Sequence, residues 1–180
     1  MPSINVVLAV GSALAAVFKW VWEYTKKMKW EKNKFLLEEL EKFHSLESTI
    51  AMETILDWNS ADITINDRRI KFDDDLLYSS FATYYNQDFT KDQLLLRGLF
   101  DDYFDNLTRL IFMAKSGLVD EKNLIMFLGY WIKILNGDRS AKSERLVFQI
   151  QNYLRYYSYE ALFETLQKEK KRKTIHGPTS

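Results

Sequence analysis

From Ile4 to Phe18 the chain reads INVVLAVGSALAAVF, an almost wholly apolar run without a charged residue. A helix apolar on every side has no face to offer water. These 15 residues would span about 22 Å as a helix, short of the ~30 Å hydrocarbon core of a bilayer. Extension to Tyr24 supplies about 31 Å but takes in Lys19 and Glu23, of which Lys19 is close enough to the end to snorkel toward the headgroups. Trp20, Trp22 and Tyr24 then fall where an interfacial aromatic belt belongs, and Lys26, Lys27, Lys29, Lys32 and Lys34 follow. The pattern predicts a transmembrane anchor over residues 1–25, with Trp20, Trp22, Tyr24, Lys26, Lys27 and Lys29 at the membrane interface. Lysines on the far side predict an extracytoplasmic N-terminus and a cytoplasmic C-terminal domain. No Lys or Arg precedes the run, so a cleaved signal peptide fits poorly. Gly11/Ala15 and Ser12/Ala16 are small-xxx-small pairs that suit close helix packing.

Beyond the run, helical spacing continues, with Phe35, Leu36, Leu40 and Phe43 on one side, predicting one long helix to about His44. A second helix over 46–58 turns Leu46, Ile50, Met52, Ile55, Leu56 and Trp58 mostly inward. Residues 62–72 place Ile63, Ile65, Ile70 and Phe72 around Asn66-Asp67, the pattern of a small β-hairpin or extended loop. Asp73–Asp75 open a third helix over DDLLYSSFATYY, where carboxylates favour the N-terminal dipole. Thr90 with Gln93 forms a capping box for a fourth helix that stops at Gly117. Asp120 begins a fifth, inward at Leu124, Phe127, Leu128, Trp131, Ile132 and Leu135 and ended by Asn136-Gly137. Two last helices, about 141–155 and 159–172, meet near Tyr156–Ser158. Trp58 and Trp131 are expected in the core.

Composition narrows the class. Hydrophobic residues at 47% and charged residues at 28% fit a globular chain, and only 6 Gly and 2 Pro favour helices over a turn-rich β fold. Without Cys there is no disulfide, thiolate zinc site or cysteine nucleophile, and two His exclude a histidine-rich metal site. The net charge of zero conceals segregation. Residues 1–34 carry six Lys against Glu23 and Glu31, net +4; residues 168–180 carry five basic residues against Glu169, net +4; residues 35–167 hold 14 basic and 22 acidic residues, net −8. Basic ends on an acidic body suit contact of the ends with an anionic surface. Specific nucleic-acid binding by the body would need the opposite sign.

Candidate chemistry is thin. Asp101, Asp102 and Asp105 are the densest acidic cluster and the alternative site for a divalent cation. Yet Arg97, Asp101, Asp105 and Arg109 are spaced by four, so a solvated, salt-bridged helix face accounts for them, and no Glu-x-x-His motif accompanies them. His44 sits at an expected helix end and His176 in the tail. There is no G-x-S-x-G elbow, P-loop, G-x-G-x-x-G or H-E-x-x-H. Tyr153, Arg155, Tyr156, Tyr157 and Tyr159 could stack bases, but packing where two helices join explains them as well. The KEKKRK tail could meet phosphate of lipid or nucleic acid.

Trp30-Glu31-Lys32 with Phe35, Leu56-Asp57-Trp58, LRGLFDDYFDNLTRL (96–110), Ser116-Gly117-Leu118 and Tyr130-Trp131-Ile132 occur in this order. Together they resemble a bacterial family with an N-terminal membrane helix, a cytoplasmic helical domain and no assigned reaction. The resemblance covers roughly residues 30–166. Met126-Phe127-Leu128 stands where that family often has Pro-Tyr-Leu. The shared motifs are aromatic and aliphatic; they imply a fold and carry over no catalytic residue.

The expected architecture is mainly α, a helical bundle with one small β-hairpin or extended loop, preceded by a single N-terminal transmembrane helix. Its parts are an anchor (1–25), a basic juxtamembrane helix (26–43), a helical domain (44–167) and a basic flexible tail (168–180). The expected function is that of a membrane-anchored interaction, scaffold or regulatory module, without catalytic residue, cofactor or metal. Its expected partners are the lipid bilayer and a protein or second copy of the chain. Two alternatives stand beside it: a metal-dependent enzyme or toxin-like effector using Asp101, Asp102 and Asp105, and a soluble oligomeric module with residues 4–24 buried.

Overall fold

A computed structural model of the chain describes residues 4–83, 88–138 and 142–176 and, within them, the side chains between residues 14 and 172. It is mainly helical with one two-stranded hairpin. Helix α1 (Ile4–Ser45) runs unbroken for 42 residues, about 63 Å. Only its last third joins the body, where Leu36, Leu40 and Phe43 are buried at helical spacing. Helix α2 (Glu47–Asp57) follows and buries Thr49, Ala51, Met52, Ile55 and Leu56.

Strands β1 (Ala61–Ile65) and β2 (Arg68–Phe72) pair antiparallel, with Ile63 opposite Ile70 and Ala61 opposite Phe72. Asn66 and Asp67 lie at φ 49° and 62°, so both turn residues are left-handed, as a two-residue type I′ turn requires. A two-stranded hairpin is marginal alone; this one buries Ile63, Ile65, Ile70 and Phe72 in the main core.

Asp73 caps helix α3 (Asp74–Ser80) by accepting the Leu76 N–H at 2.8 Å. The helix expected through Tyr85 stops at Ser80, because Phe81 leaves it to stack on Phe100 with centroids 3.8 Å apart and planes 6° from parallel. Helix α4 (Lys91–Lys115) starts at the expected Thr90–Gln93 capping box and ends at Gly117, whose φ of 77° no β-carbon would tolerate cheaply. Helices α5 (Glu121–Leu135), α6 (Glu144–Tyr156) and α7 (Glu160–His176) complete the chain.

Helix α4 is the axis of the body. It buries Leu96, Leu99, Phe100, Tyr103, Phe104, Leu107, Leu110, Ile111 and Ala114, too wide an arc for one neighbour. It packs on α2, α3, α5 and α7. Around Phe100, Tyr153 meets Phe81 edge-on at 5.3 Å, and Phe104 lies 5.6 Å from Tyr159.

Several expectations need correction. Trp58 is 62% exposed, because it is the C-cap of α2 in an extended backbone (φ −116°, ψ 140°) and no longer follows the helical period. Ile50 and Phe127 are exposed as well, while Trp131 is partly buried against the core. The tail expected from Lys168 is helical as far as His176. Among the described residues no helix is long and apolar enough to cross a membrane. The anchor expected over residues 1–25 falls, for its first thirteen residues, outside the described side chains.

Phe100→Ala should lower the unfolding free energy by about 3–5 kcal/mol, because it removes a fully buried ring from the aromatic stack. Trp58→Ala should change it by less than about 0.5 kcal/mol. Denaturant titration followed by circular dichroism measures both; equal effects would contradict the placement of Trp58.

Candidate functional site

The most unusual surface is the free part of α1. Residues 14–31 are exposed throughout, among them Phe18 at 73%, Trp22 at 71% and Trp20 at 65%. Apolar side chains left in water on all sides of a helix cost about 25 cal/mol per Å² of apolar surface relative to burial. Trp20 stacks on Tyr24 one turn later, with centroids 5.7 Å apart. The lysines begin immediately afterwards. Lys19 reaches Glu23 at 4.0 Å, Lys27 reaches Glu31 at 3.8 Å and Lys34 reaches Glu38 at 3.7 Å, all loose, exposed pairs worth little. The six expected interface residues thus share one exposed helical segment, with apolar residues preceding the aromatic belt and cations following it.

The helix meets the body at Asn33, whose side-chain oxygen accepts a hydrogen bond from Asn123 of α5 at 2.8 Å. A cleft of about 290 Å³ beside it is lined by Tyr24, Met28, Lys29, Lys32, Asn33 and Asp120. Next along the chain, Glu121 accepts from Lys168 at 2.6 Å. That hydrogen bond holds the Glu121 carboxyl below the usual carboxylate range, with the charges of Lys168, Arg172 and Lys115 adding to it.

The acidic cluster is not the solvated ladder its spacing suggested. Arg97 donates to the carbonyls of Ser80 and Ala82 at 2.7 Å and to the Tyr157 hydroxyl at 2.5 Å. Arg109 turns to Glu39 of α1 at 3.4 Å. Asp101 accepts from the buried Tyr153 hydroxyl at 2.5 Å and from Tyr159 at 3.3 Å. Burial, with Asp101 adding, pushes both tyrosine hydroxyls well above their ordinary range, so each stays a protonated donor. Asp102 lines a separate groove with Leu46, Ile65, Leu95 and Leu99. Asp105 is exposed one turn beyond Asp101. Among the described residues no three His, Asp or Glu side chains gather as metal ligands.

The tyrosine group divides. Tyr153 and Tyr159 are core, whereas Tyr156 and Tyr157 are partly exposed. Arg155 lies over the Phe163 ring at 4.8 Å. His44 bonds Glu53 at 2.9 Å, and burial raises the Glu53 carboxyl above its ordinary value despite that partner. The side chain of His176 lies outside those described. Sequence reasoning passed over Lys142, whose buried ammonium bonds the Trp58 carbonyl and lies 3.7 Å from Asp74. It also passed over Glu39, buried between Lys42 and Arg109. Both are charges amid polar sequence, and only the tertiary fold removes them from water.

Comparison with protein-family models, with curated proteins and with solved structures found no match.

Asp101→Ala should cost about 1–3 kcal/mol, because it leaves the buried Tyr153 hydroxyl without its acceptor. Asp102→Ala, on an exposed side chain, should stay within about 0.5 kcal/mol. Thermal scans with and without Mg²⁺ should coincide; a bound cation at a hundredfold excess over its Kd would add about 2.7 kcal/mol.

Because the folded Glu121 carboxyl titrates below its ordinary range, its contribution is present above that range and is lost as pH falls through the depressed value. Lys168→Gln should return the Glu121 titration to the ordinary range in an NMR pH series. The stability change near neutrality should be no more than about 0.5 kcal/mol, since both side chains are half exposed.

Proposed function

We propose that the chain is a single-pass membrane protein, with an extracytoplasmic N-terminus and a cytoplasmic helical body that serves as an interaction or regulatory module rather than an enzyme. The observation that carries this reading is the exposure of residues 14–31 of α1, apolar and aromatic first and lysine-rich after. Such a helix is stable where its apolar part has left water, and the order of belt and lysines suits a bilayer with the body on the cytoplasmic side. The likeness of residues 30–166 to a bacterial family of this layout belongs to the same reading. So does a protein partner or second copy on the body, for which exposed Trp58, Met126, Phe127 and Tyr130 supply apolar surface.

The full chain should resist alkaline carbonate extraction, and a chain beginning at Lys26 should remain in the aqueous fraction. A single cysteine introduced as Ser3→Cys should react with a membrane-impermeant maleimide on spheroplasts. Recovery of the full chain in the soluble fraction as a detergent-free oligomer would overturn the reading in favour of a soluble assembly with residues 4–24 buried.

A further inference from the structure

The two basic segments, more than 130 residues apart in sequence, both approach the α4–α5 junction of the folded body. Helix α1 enters the body beside the α4–α5 junction: Asp120 lines the same cleft as Tyr24, Lys29 and Lys32, and Asn123 bonds Asn33 at 2.8 Å. Helix α7 reaches this junction through Lys168 on Glu121 at 2.6 Å and Lys115 on Glu164 at 2.6 Å. Arg172 is close enough to add its charge to the field that lowers the Glu121 carboxyl. Lysines of α1, Lys115 of α4, and Lys168 and Arg172 of α7 therefore surround one short junction.

The local acids are already engaged, Asp120 in the cleft itself by accepting the Asn123 N–H as the cap of α5. Glu31 faces Lys27, Glu121 holds Lys168, Glu164 holds Lys115 and Glu169 holds Arg172. Lys26, Lys29, Lys32 and Lys171 make no ion pair among the described residues, and each is exposed or partly so. At the tip of the junction, Leu118 is 56% exposed between Gly117 and the buried Val119.

We propose that this end of the body is a headgroup-binding platform for anionic phospholipids, which holds the domain flush against the bilayer instead of at the end of a free stalk. The proposal rests on the anchor reading above for its geometry. If Trp20–Tyr24 mark the interface, Lys32 lies only about 12 Å further along the helix, and the cleft joining Tyr24 to Asp120 brings the junction to the same depth. That is little more than one Debye length (about 8–10 Å) from the interface. An exposed leucine amid cations suits a surface with phosphates outside and acyl chains beneath. A long polyanion suits it less, because the rest of the body between residues 35 and 167 carries net −8.

The chain has no cysteine, so Leu118→Cys on the full chain gives a single site for a polarity-sensitive nitrobenzoxadiazole label. The labelled protein is reconstituted into vesicles of phosphatidylcholine alone and of phosphatidylcholine with 30% phosphatidylglycerol, in about 0.1 M and 1 M salt. The expected result is co-flotation with both vesicles, with brighter, blue-shifted emission only on the anionic ones. That shift should vanish in 1 M salt and in the Lys29→Gln, Lys32→Gln, Lys171→Gln, Arg172→Gln variant, which still floats. Co-flotation with identical emission on both vesicles would overturn the platform and leave the anchor standing. Salt-reversible binding to anionic vesicles alone would support the platform and overturn the anchor. Failure to float with either would overturn both. A short duplex DNA that binds the full chain more tightly than anionic vesicles, and is lost with the four substitutions, would assign the surface to nucleic acid and overturn the lipid proposal.

Discussion

Everything in the body is arranged around the requirement that α4 be buried on more than one face. Its apolar positions cover so wide an arc that no single helix could shield them. Helices α2, α3, α5 and α7 supply the cover, and the Phe81–Phe100 stack with Tyr153 edge-on fills the centre. Because α4 is surrounded, its charged residues also reach outward to different neighbours. Arg97 gathers the end of α3 and Tyr157, Asp101 receives Tyr153 and Tyr159, and Arg109 meets Glu39 on α1. These polar links pin the layers in register over a core whose apolar contacts alone would be less particular about angle.

The second constraint is the continuity of α1. One helix carries both Leu36, Leu40 and Phe43, which belong to the core, and the exposed aromatic segment around Trp20–Tyr24. No proline or glycine interrupts it between those two parts, so the body and the exposed segment are joined by hydrogen-bonded backbone rather than by a linker. The exposed segment meets the body at the junction of Asn33 and Asp120, where Asn123 bonds Asn33 and Asp120 shares a cleft with Tyr24 and Met28.

Buried polar chemistry in this protein serves cohesion. Lys142 closes the end of α2 against the start of α3, Glu39 ties α1 to α4, and the tyrosine hydroxyls spend their protons on Asp101. The Tyr103 hydroxyl is buried without a hydrogen-bond partner among the described residues, where burial and the nearby Glu53 raise its pKa well above the ordinary range.

The sequence by itself determined the mainly helical class, a turn at Asn66-Asp67 that left a hairpin or an extended loop open, the capping box at Thr90 and the helix stop at Gly117. Each follows from local backbone physics: spacing, left-handed turn residues and a satisfied first turn. It also determined the charge segregation and the apolar opening run, which depend only on composition along the chain. Only the tertiary structure decided that Asp101 serves two tyrosines instead of Arg97, that Trp58 faces solvent, that α3 stops at Ser80, and that the lysines of α1 and α7 approach one junction. Those outcomes depend on which distant element arrives beside a residue. A spacing of four residues offers a partner on the same helix, and a buried tyrosine or a backbone carbonyl from another helix can outbid it, since an unpaired buried donor costs more than an exposed ion pair returns.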